Sequence, residues 1–84
     1  MLTPKEADDL FLKKHPDAKG DTIADWGDFY SCSLSASGDM TDDDYKINKT
    51  TGDISYWDFA EYAEFVRSLP DEFNPKVYKV KDLK

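Results

Sequence analysis

The first apolar pattern in the chain has the spacing of an amphipathic helix, with one face formed by Ala7, Leu10 and Phe11. The preceding Thr-Pro-Lys-Glu stretch predicts a capping box, in which Thr3 is the N-cap and Glu6 lies at the third helical position. Pro16 disfavours helical geometry at the residue before it, so the helix should end near His15. The pattern therefore predicts an N-terminal helix that begins after Thr3.

Period-two alternation of apolar and polar residues follows in three places and predicts strands. The first predicted strand covers Phe29 to Ser35, with an apolar parity shared by Trp26, Tyr30, Cys32 and Leu34. The other two strands alternate around Tyr45 and Ile47 and around Ile54 and Tyr56. Gly52 stands between them, where a short hairpin needs a positive φ angle. The stretch Asp44 to Trp57 is thus predicted to be an antiparallel hairpin.

A second helix is predicted directly after this hairpin, from about Phe59 to Leu69, with an end at Pro70. Asp58 and Glu61 have the spacing of a second capping box. The apolar stripe of this helix is wide, and it contains Phe59, Tyr62, Ala63, Phe65, Val66 and Leu69. After Pro75, the segment 76–84 is either a lysine-guarded edge strand or a mobile basic tail.

These elements predict one small α+β domain over residues 1–84, in the order α-β-β-β-α, with a final strand if the segment 76–84 pairs. Three antiparallel strands, or four with the last segment, should present one apolar face, and both helices should cover that face in a two-layer arrangement. An aromatic content of 14% helps so short a chain to build a core.

The net charge of −7 is concentrated in the middle of the chain, where residues 21–58 contain nine Asp against Lys46 and Lys49. An acidic middle repels phosphate, so nucleic acid is not an expected partner. No apolar run is long enough to span a membrane, and the N-terminus lacks the pattern of a signal peptide. A cytoplasmic protein without a membrane partner is the expectation. The acidic surface either serves solubility or binds a partner with a basic surface.

Four carboxylates within the loop before the hairpin, Asp39, Asp42, Asp43 and Asp44, form the densest charge cluster. They fail the EF-hand pattern, because Lys46 and Ile47 occupy its fifth and sixth positions. An irregular calcium site, a solvated loop and a contact surface for a basic partner remain open. No metal or other cofactor is otherwise expected.

Catalytic chemistry has little support in this sequence. His15 is the only histidine, and it has no identifiable nucleophile beside it. Cys32, the only cysteine, has the parity of a small core residue and serine neighbours, which do not activate a thiol. Glycine-rich phosphate loops and nucleophile elbows are absent from the sequence. The chain is therefore not predicted to be an enzyme.

The two tryptophans are the other candidate binding residues. Trp57 has the parity opposite to that of Ile54 and Tyr56, and it can also form a hydrophobic staple with Tyr62. Trp26 stands among acidic residues and glycine. An aromatic residue that is partly exposed near acids is typical of an interface anchor, whereas packing in the core is the alternative for both.

The hairpin segment resembles the V-[DN]-K-x-T-G-E-[IV] hairpin of PepSY-like domains and of small bacterial immunity proteins of the YrhB type. The matching residues are Ile47, Asn48, Lys49, Thr51, Gly52, Asp53 and Ile54. The resemblance implies a small α+β fold that binds another protein. It does not assign a functional role to any residue of this chain.

The sequence as a whole predicts a small acidic, non-enzymatic protein-binding module of bacterial or phage origin, of the immunity or phage-accessory type. Its predicted partner-binding residues are Asp39, Asp42, Asp43, Asp44, Trp26 and Trp57. The alternatives are a structural subunit of a larger assembly and a calcium-binding domain that uses the cluster from Asp39 to Asp44.

Overall fold

The computed structural model describes residues 1–34 and 44–83, and it has the predicted α+β class. Its helices and strands are α1 (Pro4–Lys14), β1 (Thr22–Asp25), β2 (Phe29–Ser33), β3 (Asp44–Asn48), β4 (Ile54–Tyr56), α2 (Phe59–Arg67) and β5 (Lys76–Lys79), followed by a short 3-10 helix, Val80–Leu83. The described strands form one antiparallel sheet in the order β4-β3-β2-β1-β5.

The N-terminal helix begins as its sequence predicts. The Glu6 amide donates to Thr3 Oγ1 over 3.2 Å, and the Thr3 amide donates to Glu6 Oε1 over 2.9 Å, which completes the capping box. The amide of His15 donates to the Phe11 carbonyl at the C-terminal end. Ala7 and Phe11 are buried against the sheet, so the predicted apolar face is the one that packs.

The hairpin of β3 and β4 is also confirmed, with Gly52 at a φ angle of +80°. The Gly52 amide donates to the Asn48 carbonyl over 2.8 Å, and the Asn48 amide donates to the Asp53 carbonyl over 2.9 Å. Asn48 Oδ1 accepts from the amides of Thr50 and Thr51, so the side chain satisfies turn donors that the strands leave free.

The predicted count of three or four strands is wrong, because the described residues form a sheet of five strands, and the sequence patterns do not predict β1. β1 has only four residues, and a tight turn joins it to β2, in which the Trp26 amide donates to the Phe29 carbonyl. Gly27 has a φ angle of +105° at the first central position, where a type II′ hairpin turn takes glycine. Across this two-residue turn Trp26 is opposite Phe29, and directly opposed residues share a face of the sheet. Trp26 therefore lies on the face opposite to that of Tyr30, although the two residues are an even number of positions apart.

The two helices lie on opposite faces of the sheet, which corrects the predicted two-layer arrangement. Side chains alternate along β2, so neighbouring residues point to different faces. Tyr30 and Cys32 join the core under α1, whereas Phe29 contacts Phe65 of α2 at a ring-centroid distance of 5.4 Å. The sheet is therefore the middle layer between α1 and α2.

The C-terminal residues 76–83 close the sheet at one edge. β5 pairs with β1, with Tyr78 opposite Ile23 and Lys76 opposite Asp25. The Val80 amide then donates to the Asp21 carbonyl over 2.9 Å. Lysines at both ends of β5 guard this edge against pairing with other chains.

Candidate functional site

The side of the molecule that carries α2 holds the largest aromatic cluster of the described residues. β4 ends at Tyr56, and the next residue, Trp57, points to the face opposite that of α1. Asp58 then caps α2 directly, because its side chain accepts from the Glu61 amide over 2.9 Å. The predicted second capping box is therefore half formed: the Asp58 side chain accepts from the Glu61 amide. The strand thus passes to the helix without a loop, and α2 lies over the tryptophan.

Trp57 is the centre of the cluster, and only 1% of it is exposed. Its ring packs edge-on against those of Phe29, Tyr62 and Phe65, at centroid distances of 5.2, 5.3 and 5.8 Å. The contact with Tyr62 is the predicted staple. A ring buried in this way is not accessible at the surface of the described residues, and the binding role of Trp57 stays a prediction. Its role in the structure is to join α2 to the sheet.

Trp26 lies at the margin of the same cluster and is partly exposed. Its Nε1–H donates to Ser31 Oγ over 2.9 Å, which fixes the orientation of the indole. The ring packs edge-on against Trp57 at 5.7 Å and lies nearly parallel to Phe73, at 6.3 Å and 18°. Trp26 is therefore held rigidly while part of its ring remains accessible.

A groove of about 360 Å³ opens beside Trp26, between the C-terminal half of α2 and the residues that follow it. Its lining is mostly apolar and comprises Trp26, Tyr62, Val66, Leu69, Pro70, Asp71, Phe73, Asn74 and Pro75. Two prolines flank the turn in which Phe73 lies, and the Phe73 amide donates to the Pro70 carbonyl over 3.0 Å. This turn positions Phe73 against Trp26.

The helix beside the groove leaves much of its apolar stripe exposed. No residue of α2 is fully buried, although Tyr62 and Phe65 contact the cluster. Phe59 is 54% exposed, and Val66 and Phe73 are exposed as well. The predicted apolar stripe is thus wider than its packing requires, and large exposed apolar patches commonly mark interaction sites.

The segment that forms α2 and most of the groove is acidic in sequence. Between Asp58 and Pro75 the chain carries five acidic residues against one basic residue, Arg67. Asp71 lies in the lining of the groove itself, and Glu61, Glu64 and Glu72 are exposed nearby in the sequence. An aromatic groove within an acidic segment favours ligands that combine apolar and positively charged groups.

The predicted acidic cluster is only partly described. Asp39, Asp42 and Asp43 lie outside the described residues, so their predicted roles in partner or calcium binding stay predictions. Asp44 begins β3 and is only 5% exposed. A side chain buried to that extent presents little of its charge at the surface, and its role in partner binding stays a prediction. Trp26 is the predicted binding residue that the groove contains.

The sequence reasoning missed Tyr62, Phe73 and Asp71 as parts of one site. The sequence predicts Tyr62 only as a helix residue and a staple partner of Trp57, and it assigns no binding role to the Pro-Asp-Glu-Phe-Asn-Pro stretch. A large aromatic residue between two prolines, in a stretch otherwise polar, is a signal that could have pointed to Phe73. Nothing in the sequence placed it against Trp26, which lies 47 positions away in the sequence.

An ion pair positions the strand end that carries Trp26. Lys49 Nζ lies 2.6 Å from Asp25 Oδ1, which also accepts from the Gly27 amide over 2.9 Å. Burial acts to raise the pKa of Asp25, but the hydrogen bonds from Lys49 and Gly27 and the charges of Lys49 and Lys76 outweigh it and hold the pKa below its usual value. The pair therefore stabilises the turn before β2 as a charged unit.

The cysteine and the histidine both pack against neighbouring side chains of the described residues. Cys32 is buried in the core under α1, and burial, followed by the charges of Asp8 and Asp44, raises the pKa of its thiol. A thiol of this kind is a poor nucleophile. His15 packs against the rings of Phe11 and Tyr45, at 5.1 and 4.6 Å. Within the described ranges, no group of three or more His, Cys, Asp or Glu side chains has the arrangement of a metal site.

Two further observations concern the wider context of the chain. In the parts of the chain that the structure covers, no helix has the length and hydropathy needed to cross a bilayer. Comparisons with models of protein families, with curated proteins and with solved structures find no match to this chain.

Proposed function

We propose that the protein is a non-enzymatic binding module that docks another protein, one with a basic surface, on the α2 side of the sheet. The observation that carries the proposal is the groove beside Trp26. The Trp26 ring is held there by its bond to Ser31, it lies against the exposed Phe73, and the rest of the lining comes from the acidic segment 58–75. Interfaces are typically anchored by such aromatic residues, with charged groups around them that select the partner.

The charge distribution supports a basic partner in particular. Acidic side chains near the groove attract positive charge over roughly 8–10 Å at physiological salt. They should speed the encounter more than they tighten the final complex. Association is therefore expected to slow as the ionic strength rises, while the apolar contacts set the lifetime of the complex.

Affinity capture from a lysate of the source organism, with the immobilised chain and four variants, tests this proposal. Phe73→Ala removes an exposed ring from the groove, and Val77→Ala is its matched control, because Val77 is exposed on β5 outside the groove. Glu64→Gln combined with Glu72→Gln removes two charges near the groove. Asp9→Asn combined with Asp17→Asn removes two exposed charges elsewhere.

We expect a specific protein to bind the wild type and both controls and to be lost or strongly reduced with Phe73→Ala. With the Glu64 and Glu72 double variant, the same protein should associate more slowly and with a weaker dependence on salt. Its association with the wild type should weaken as salt is added, and its surface should be basic. A partner that the groove variants retain at the wild-type level would place the interface elsewhere, first at the predicted acidic cluster Asp39, Asp42 and Asp43.

A further inference from the structure

The groove beside Trp26 combines two kinds of group that recognise cations. Three of its lining residues are aromatic: Trp26, Tyr62 and Phe73. Tyr62 packs at 81° to the indole, at 6.0 Å, whereas Phe73 lies at 18° to it. Asp71 also lines the groove and contributes a carboxylate to it. None of the nine lining residues is positively charged.

Such a combination suits the side chain of arginine or lysine. The face of an aromatic ring attracts a cation by about 0.5–2 kcal/mol, depending on how far the cation is desolvated. A carboxylate adds a charge-assisted hydrogen bond, for which the guanidinium group of arginine has the best geometry. The remaining apolar lining, which includes Val66 and Leu69, can cover the methylene stem of the same side chain.

The rings on this face of the sheet already accept a cation from the chain itself. Lys46 Nζ lies 5.4 Å from the ring centroid of Phe29 and 5.8 Å from that of Trp57. Lys46 does not line the groove, which opens beside Trp26 and α2. The aromatic cluster therefore contacts one cation of the chain itself outside the groove, and the groove stays open.

From these contacts we infer that the groove is a subsite for one arginine or lysine side chain of a partner segment. This inference rests on the proposed function, and it names the chemical group that the partner inserts. Charge complementarity selects this occupant over a second copy of the chain, whose net charge is −7 and whose α2 surface is equally acidic.

Titration with blocked five-residue peptides, followed by ¹H–¹⁵N NMR, tests the inference on the intact protein. The peptides are identical except at the centre, which carries arginine, lysine, citrulline or leucine. Citrulline keeps the shape of arginine and removes its charge. The indole N–H signal of Trp26 is the direct readout, because the other tryptophan, Trp57, is buried.

We expect the arginine and lysine peptides to shift the signals of Trp26, Tyr62 and Phe73, and to bind several-fold more tightly than the citrulline and leucine peptides. Asp71→Asn should weaken the arginine peptide about two- to fivefold, the range for a partly exposed charge pair. Asp17→Asn is the control, since this exposed acid does not line the groove, and it should leave binding close to wild type.

Three results would overturn the inference. The first is equal binding of the arginine and citrulline peptides, or tighter binding of the leucine peptide, which would make the groove an apolar subsite. The second is no shift at the groove with about 10 mM arginine peptide. The third is a concentration-dependent shift of the groove signals without peptide, which would identify a second copy of the chain as the occupant. If lysate capture still depends on Phe73 in any of these cases, the proposed function stands and only the subsite falls.

Discussion

The pair of Lys49 and Asp25 shows at the scale of single residues how a charge acquires a role through the fold. The two residues are 24 positions apart, yet their side chains meet at 2.6 Å, and only 9% of the lysine side chain is exposed. Lys49 Nζ also lies 4.6 Å from the ring centroid of Tyr30, whose Oη donates to the Leu2 carbonyl over 2.9 Å. One buried cation thus links the β3–β4 turn, the end of β1 and the N-terminal segment.

This pair predicts a specific loss of stability in acid. Because the folded state holds the pKa of Asp25 below its value in the unfolded chain, the contribution is fully present above the unfolded pKa of about 3.9. It is lost as the pH falls through the folded pKa. Asp25→Asn should lower the free energy of unfolding by about 1.5–3 kcal/mol at neutral pH, the range for a hydrogen bond to a charged group.

The measurement is urea unfolding of the wild type and the variant at neutral pH and in steps below about pH 4. The stability difference between the two proteins should shrink as the acid protonates the carboxylate. Asp28→Asn is the matched control, because Asp28 is an exposed acid in the same turn. A stability difference that stays constant through the acid range would show that the pair does not act through the charge of Asp25.

A second residue-scale prediction concerns Gly20, where two stretches of backbone approach closely. A Cβ atom on this residue would lie 2.2 Å from the Ser33 carbonyl oxygen and 3.1 Å from the Ser33 carbonyl carbon. The neighbouring Lys19 amide donates to the Leu34 carbonyl over 2.7 Å, so the backbone cannot move away without losing this bond. Gly20→Ala should therefore destabilise the fold by about 1–3 kcal/mol. A thermal unfolding midpoint equal to that of the wild type would contradict the close approach.

At the scale of elements, the two helices differ in how they are held. α1 has both bonds of its capping box and buries Ala7 and Phe11. α2 has the bond from Asp58 and no fully buried residue. The stability of α1 thus depends on its own cap and on the core, whereas α2 depends on ring contacts with Trp26, Trp57 and Phe29.

The cap of α1 leads to a prediction at this scale. Thr3→Ala removes the side-chain acceptor for the Glu6 amide and should cost about 1 kcal/mol of folding free energy. Thr3→Ser keeps a hydroxyl acceptor and serves as the control, with a loss of a few tenths of a kcal/mol at most. Chemical denaturation of both variants measures the difference. Equal losses would mean that the methyl group of Thr3, and not its hydroxyl, supports the helix start.

At the scale of the whole molecule, the sheet separates two layers of different character. The α1 side is a closed core with Ile23, Tyr30, Cys32 and Ile47, and the α2 side is an aromatic layer that stays partly open. Burial on the first side stabilises the fold, and exposure on the second leaves surface for a partner. The closed core and the exposed apolar surface therefore lie on opposite faces of the sheet, and the proposed binding site belongs to the second.

This division predicts unequal effects of two aromatic substitutions on the same side. Trp57→Ala should cost about 3–5 kcal/mol, because it removes the buried ring that joins α2 to the sheet. Phe59→Ala, two positions along, should change stability by no more than about 0.5 kcal/mol, since that ring is mostly exposed. Denaturant unfolding measures both free energies, and hydrogen exchange of the α2 amides should rise in the Trp57 variant alone. Similar losses in the two variants would contradict the joining role of Trp57.

The local elements were readable from the sequence because their determinants are local. A cap is decided within four residues, as at Thr3 and Glu6, and a tight turn by one glycine, as at Gly52. Alternation also predicted which side chains of β3 face the core. In a strand with one face on a core, every second side chain points to that core. These signals sufficed for α1, the β3–β4 hairpin, α2 and the α+β class.

The tertiary structure alone decided the sheet and the site. β1 is too short for its alternation to stand out, and it is held as a strand by β2 on one side and β5 on the other. The turn at Gly27 places Trp26, and the strand alternation places Trp57, on the same face of the sheet, and α2 packs on that face. This agreement becomes visible only when the strands are paired. The groove joins Trp26 to Phe73 across 47 positions, and contacts at such separations depend on packing between elements, which no local pattern of residues encodes.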